Sequence, residues 1–188
     1  MAEIEIKIDA SQLRKLERVV KHIEDGVPRA LAPAINRALD HGRTTVRREI
    51  RKEYLIKLKD IPIRVSGASR ERLGGKVIVA QGMLDLAKFK VTPRGVQRRR
   101  YKKPITVKVR VRTGGKIIPH GFVAHMPQGY TGPFVREGPA RFPIRKLLAI
   151  GAGIMASRPT VAPIVQSEMA DSLAKNIDSQ IERLRAKD

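Results

Sequence analysis

KIIPHGFVAHMPQGYTGPFVREGPARFPIRKL, residues 116–147, is the stretch on which the reading of the chain turns. It carries five of the twelve prolines, two of the four histidines, and the aromatics Phe122, Tyr130, Phe134 and Phe142. Its pattern predicts a strand, a Pro/Gly turn, a second strand, and a Gly-Pro-Ala-Arg loop closed by Phe142-Pro143-Ile144-Arg145. Gly129 and Gly132 give freedom around Tyr130, while Pro127 and Pro133 fix φ beside them. Backbone so interrupted loses much conformational entropy on folding and needs neighbours to hold it.

Immediately upstream, residues 94–103 read RGVQRRRYKK, with six Lys/Arg and no acid. This predicts a flexible basic loop. Ile105, Val107, Val109 and Val111 then alternate with Thr106, Lys108, Arg110 and Arg112, the signature of a strand with one aliphatic and one cationic face. Thr113-Gly114-Gly115-Lys116 supplies a turn, so 94–116 reads as a basic β-hairpin region. A solvated face is the ordinary reading of such cations. Their mutual repulsion is nevertheless tolerated more readily beside an anionic partner.

The charge is concentrated here. The chain of 188 residues has a net charge of +21, but residues 1–60 hold 14 Lys/Arg against 10 Asp/Glu, residues 61–147 hold 20 against 3, and residues 148–188 hold 5 of each. A basic middle between balanced flanks points to phosphate or an acidic protein surface as partner. No helix-turn-helix, zinc finger or RNA-binding aromatic motif accompanies it, so base-specific reading is not expected.

Toward the N-terminus, Ile4, Ile6 and Ile8 alternate with Glu3, Glu5 and Lys7, a half-buried strand. Asp9 or Ser11 can cap a helix carrying Leu13, Leu16, Val19/Val20 and Ile23, expected to run to about Asp25 before Gly26 breaks it. A long second helix is expected over about 28–56. Its stripe is Leu31, Ala34/Ile35, Ala38/Leu39, Val46, Ile50 and Tyr54; its opposite face carries Arg29, Arg37, Arg43, Arg47, Arg48 and Arg51. Those arginines read as a solvated face, or more sharply as an inter-subunit or DNA contact. Ile61–Val65 is extended, 76–80 reads as a strand, and the apolar phase changes between Leu86 and Phe89, a bulge or break. Beyond a glycine-dotted linker, a last helix from about Thr160 sets Val161, Val165, Met169, Leu173, Ile177 and Ile181 at steps of four, and Leu184 extends the stripe.

The order of elements predicts an α+β domain: an antiparallel β-sheet with N-terminal long helices and a C-terminal helix packed on one side. The expected division is a core domain over 1–150, containing the hairpin region 94–116, and a linker with C-terminal helix over 151–188. Cysteine is absent, which removes disulfides and thiolate chemistry. No apolar run is long enough to span a bilayer.

Catalytic constellations are missing. There is no phosphate-binding glycine loop, nucleophile elbow or HExxH pattern, and carboxylates are too scattered for two-metal chemistry. His120 and His125 lack an orienting carboxylate nearby and read as structural or interface residues. No metal and no cofactor is expected.

A resemblance adds to this reading. Phe122-Val123-Ala124-His125-Met126, Gly129, Gly132-Pro133-Phe134-Val135-Arg136 and Arg141-Phe142-Pro143-Ile144-Arg145 resemble the signature of the minor tail protein Z family of tailed bacteriophages and prophages. Ile4–Asp9, Leu13, Leu16 and the Ala/Arg-rich helix resemble its N-terminal part. The resemblance implies a non-enzymatic virion structural protein, assembled in the host cytoplasm and acting in tail completion at the head-proximal end of the tail. It implies a ring, with a hexamer as the expected form, and closed rings need heterologous interfaces. Acids on the last helix are expected to meet arginines on the long helix of a neighbour. The implied partners are copies of the chain itself, tail tube or tail terminator proteins, head connector or neck proteins, and genomic DNA passing through without specificity; no membrane is implied. The expected DNA or acidic-partner contacts are Arg94, Arg98, Arg99, Arg100, Lys102, Lys103, Lys108, Arg110, Arg112 and Lys116. The signature or interface set is Phe122, Met126, Gly129, Gly132, Phe134, Arg136, Arg141, Pro143 and Ile144. Composition alone would equally fit a basic, ribosome-associated type of nucleic-acid-binding protein; the apolar Gly/Pro/Phe character of 119–145 argues against it.

Overall fold

The structure, a computed structural model, describes residues 2–23, 25–96 and 104–186. It begins with β1 (Ala2–Glu5), α1 (Ala10–Val19) and α2 (Gly26–Glu53), followed by β2 (Ile63–Ser66) and β3 (Lys76–Val79). Next come β4 (Leu84–Asp85), β5 (Lys90–Thr92), β6 (Ile105–Lys108), β7 (Lys116–Ile118), β8 (Gly121–His125), β9 (Thr131–Arg136), β10 (Ile144–Lys146) and β11 (Leu148–Ala149). Two helices, α3 (Ala152–Ala156) and α4 (Ala162–Arg185), close the chain. The class is α+β. Every described strand pair is antiparallel, and the strands form four small sheets, ordered β1-β3-β2, β5-β6-β7, β10-β9-β8 and β11-β4.

The chain forms two compact units, each discontinuous in sequence. The first takes residues up to Arg48, then Pro62–Gln81, and everything from Gly153 onward. Asp9 caps α1, its carboxylate accepting from the Ser11 N–H at 3.1 Å and the Ser11 hydroxyl at 2.7 Å. The helix ends at Val19, earlier than its apolar spacing suggests, because the chain doubles back at once. At Gly26 a Cβ would lie 2.7 Å from Val20 Cβ, so only glycine opens α2 here. The predicted stripe of α2 is buried throughout, from Leu31 to Val46 in this unit.

The predicted stripe of α4 is buried from Val161 to Ile181, and its extension, Leu184, is half-buried. Six such side chains represent a gross transfer free energy of order 10 kcal/mol. At Gly42 a Cβ would lie 2.4 Å from Met169 Sδ, so α2 admits the α4 side chain there because it presents no side chain of its own. Glu168 accepts from the Thr45 hydroxyl at 2.7 Å and from the Arg48 guanidinium. The Thr45 bond first, then Arg48, hold its carboxyl below the usual range against the opposing effect of burial. Glu168 thus meets an arginine of the long helix within one chain, where the sequence suggested a neighbour's. Lys15 pairs with Asp178 at 2.9 Å.

The second unit comprises Glu49–Ile61 and Gly82–Ala152. The phase change seen in the sequence at 86–89 is a short 3-10 turn, Leu86–Lys88, between β4 and β5. The expected 105–112 strand ends at Lys108. Beyond it the backbone turns to another partner. Leu55 N–H donates to Val109 C=O at 2.8 Å, and Val111 N–H donates to Glu53 C=O at 2.9 Å. The hairpin is present, with Val107 opposite Lys116, but its connection is longer than a tight turn over 113–116.

Leu173 is 1% exposed, at the middle of the α4 stripe. Leu173→Ala is expected to lower stability by about 2–5 kcal/mol through lost burial and a residual cavity. Urea unfolding read by circular dichroism checks this; a loss under about 1 kcal/mol would mean that α4 is not packed as described.

Candidate functional site

Two features of the second unit stand out: the hairpin that carries residues 121–146, and a groove lined by cations. In the hairpin, β8 pairs with β9 from Gly121 opposite Val135 to His125 opposite Thr131, and β9 pairs with β10 from Arg136 opposite Ile144 to Phe134 opposite Lys146. Gly129 turns the chain at φ +82°, and Met126 closes the turn through its C=O, which accepts from Gly129 N–H at 2.9 Å.

Tyr130 and Gly132 lie two apart, and a Cβ on Gly132 would sit 2.0 Å from the Tyr130 hydroxyl oxygen. Gly132 is therefore the seat of the Tyr130 ring. From that seat the hydroxyl donates to Asp85 Oδ1 at 2.7 Å, and the ring meets Phe134 edge-on at 5.7 Å. Phe134 stacks with Phe122 at 6.2 Å, and the Arg136 guanidinium lies 5.0 Å from the centre of the Phe122 ring.

Asp85 is the hub beneath this cluster. It accepts from Tyr130, from the Ala87 N–H at 2.9 Å, and from the Lys146 ammonium at 2.7 Å; that ammonium also lies 3.9 Å from the Tyr130 ring centre. Burial alone would raise the Asp85 carboxyl, but these three donors hold it below the usual range. Burial first, then the Asp85 carboxylate, push the Tyr130 phenol well above its ordinary value, so it stays a donor. Asp85, Tyr130 and Lys146 were absent from the sequence-derived site. One signal was available: Asp85 is the only acid between Glu71 and Glu137, so cationic or hydroxyl partners were to be expected for it.

The outer loop of the hairpin is exposed. Arg145 pairs with Glu137 at 3.2 Å, Pro143 C=O accepts from Glu137 N–H at 3.3 Å, and Phe142 is 63% exposed with the Arg141 guanidinium 5.7 Å from its ring centre. Ile144 is half-buried. His125 Nδ1 lies 2.7 Å from Thr131 Oγ1 across the β8–β9 pair, and His120 sits at φ +56° in the turn before β8. Among the described residues no cluster of three or more His, Cys, Asp or Glu side chains is placed to hold a metal ion.

The groove, about 570 Å³, lies between the exit of α2 and β5. Arg51, Lys57, Lys88, Lys90 and Arg94 line it, with no Asp or Glu among its lining residues; Tyr54 and Phe89 contribute its apolar wall. None of these five cations has a carboxylate partner among the described residues. The sheet register adds a sixth charge: Lys90 lies directly opposite Lys108. Like charges facing across a ladder are destabilising unless an anion intervenes.

Of the basic residues marked from sequence, Arg94 and Lys108 belong to this arrangement. Arg110 lies with its guanidinium 5.8 Å from the Tyr54 ring centre, and Arg112 and Lys116 are exposed in the connection and at the start of β7. Arg98, Arg99, Arg100, Lys102 and Lys103 lie outside the described residues. Arg51 reads in the sequence only as one of the arginines on the outer face of the long helix, with a DNA or inter-subunit contact as the sharper reading; Lys57, Lys88 and Lys90 were missed because their short segments are bland alone.

A family model described as prophage minor tail protein Z (GPZ) matches residues 7–187. No curated protein and no solved structure matches the chain.

Two outcomes test the hairpin. Gly132→Ala is expected to displace the Tyr130 ring and cost about 1–3 kcal/mol by overpacking, and Tyr130→Phe, which keeps the ring but loses a hydrogen bond to a carboxylate, about 1.5–3 kcal/mol. In a Tyr130→Ala background the Gly132→Ala loss in thermal unfolding should fall below about 1 kcal/mol, and an undiminished loss would contradict the seat. Asp85, with its lowered carboxyl, stabilises fully above its unfolded value near pH 4 and progressively less as pH falls through the folded value. Asp85→Asn should therefore flatten the acid limb of the stability profile below about pH 4; an unchanged limb would remove Asp85 from this role.

Proposed function

The chain belongs to the prophage minor tail protein Z family, a phage tail structural family, and from that premise we propose tail completion at the head-proximal end of the tail. There it assists head–tail joining and lines or flanks the DNA channel, without catalytic turnover. The observation that carries the DNA part is the acid-free groove together with the facing pair Lys90 and Lys108. A polyanion neutralises that repulsion, and lysine and arginine without base-reading neighbours engage phosphate without specifying sequence. Arg94, Lys108, Arg110, Arg112 and Lys116 extend the contact.

Assembly follows the same reading. The protein acts as a ring, a hexamer, with tail tube or terminator proteins on one side and connector or neck proteins on the other. On α4, Asp171 and Glu182 carry no ion pair among the described residues and are the acids available to a neighbour's arginines. The exposed Phe142 loop supplies apolar contact area.

The test separates DNA from protein docking. Arg51, Lys57, Lys88 and Lys90 are exposed, so neutralising them together should leave folding intact. The isolated protein should bind duplex DNA with a log–log salt slope of roughly −3 to −4 for about four phosphate contacts, and the quadruple variant should lose most of that slope. In virions carrying the variant, normal head joining with leaking DNA supports the channel role. Failed joining with an unchanged salt slope would mean that this groove docks a protein.

A further inference from the structure

A second cleft, of about 470 Å³, lies wholly within the first unit. It is formed by the first turns of α2, the loop after β2 and the last turns of α4. All its charged lining residues are arginines: Arg29, Arg70 and Arg183. No acid lines it, and none of the three has a carboxylate partner among the described residues. These segments come from three separate parts of the chain, so local sequence does not explain why only guanidinium groups meet there.

Gln180 also lines this cleft. It is only 7% exposed, yet its side-chain Nε2 is buried without a hydrogen-bond partner. A buried donor left unmade is costly, and native proteins rarely retain one without a use. That atom is closed to solvent, so an acceptor bound in the cleft satisfies it once the Gln180 amide turns toward the cleft that its side chain lines. Guanidinium groups present paired N–H donors that match the two oxygens of a carboxylate or phosphate, a fit that lysine lacks. We infer that this cleft is a binding site for an oxyanion, carboxylate or phosphate, held by Arg29, Arg70 and Arg183, with the Gln180 amide turning to it as a further donor. The site is distinct from the groove of the second unit and does not depend on the DNA reading of that groove.

The test follows the Gln180 side-chain amide resonance in the ¹⁵N-labelled full chain. Inorganic phosphate is titrated to about 10 mM, then glutarate in a separate arm, both at constant ionic strength. Since the groove of the second unit also attracts anions, only the Gln180 resonance reports on this cleft. A saturable shift in either arm supports the site, and the stronger arm identifies the class of oxyanion. No shift in both arms overturns it, and so does binding that leaves Gln180 unmoved, since the anion would then sit on surface arginines alone. The double variant Arg70→Gln and Arg183→Gln replaces exposed residues and should weaken binding at least about tenfold. Gln180→Leu removes the unmade donor, so the unliganded protein should unfold at the same or a higher temperature while anion binding, read by calorimetry, weakens. A lowered unfolding temperature would mean that the amide has a structural partner, and the inference would fail.

Discussion

The second unit sets five carboxylates against twenty cations, and this shortage governs how it holds together. Asp85 and Glu137 are both committed to one hairpin. Asp85 gathers Tyr130, Lys146 and the Ala87 N–H beneath the aromatic cluster, and Glu137 pairs with Arg145 at its outer end. The Pro- and Gly-rich backbone of this hairpin is thereby fixed by charge-assisted contacts; elsewhere in the unit Lys52 pairs with Glu49 at 2.7 Å at the exit of α2. The cations of the groove receive no such neutralisation, and Lys90 and Lys108 face one another across a ladder. Neutralisation is concentrated where geometry must be fixed and withheld where the surface is open.

The first unit works under a milder condition. It holds 13 Asp/Glu against 19 Lys/Arg, and its order comes from apolar stripes on two long helices. Ion pairs such as Lys15–Asp178 and Arg48–Glu168 are partly exposed. Exposed pairs of this kind contribute little, typically under about 1 kcal/mol each. They serve register more than stability: of two adjacent α4 residues, Glu168 meets Thr45 and Arg48 and Met169 meets Gly42, all within two turns of α2.

This contrast explains what the sequence revealed. The stripes of α2 and α4 were legible because helical periodicity is local, and every named position from Leu31 to Tyr54 and from Val161 to Ile181 is buried. The helical capping by Asp9 was legible for the same reason. The end of β6 was not, because alternation continues to Arg112 while the backbone of 109–111 pairs with the exit of α2. Alternation specifies which face a residue takes, not which strand it meets. The signature residues were legible as a family pattern, but the reason for Gly132 required the ring of Tyr130 above it. The groove was the least legible feature, since register and three-dimensional convergence bring Lys57, Lys88 and Lys90 together.

The stripe on α4 has one more consequence. Its buried residues recur every four positions from Val161 to Ile181, whereas an α-helix turns about 100° per residue. Each step of four therefore overshoots a full turn by about 40°, and five steps sweep the stripe through roughly 200° around the helix axis. A single flat neighbour cannot bury such a spiral; the helix must change partners along its length. It does so: Glu168 and Met169 meet α2, while between two and three turns later Asp178 reaches Lys15 on α1. The helix is a spiral key, and its sequence encodes the order of its neighbours as well as its own burial. Inserting one residue near Leu173 would rotate everything beyond it by about 100° and leave both partner sets out of phase.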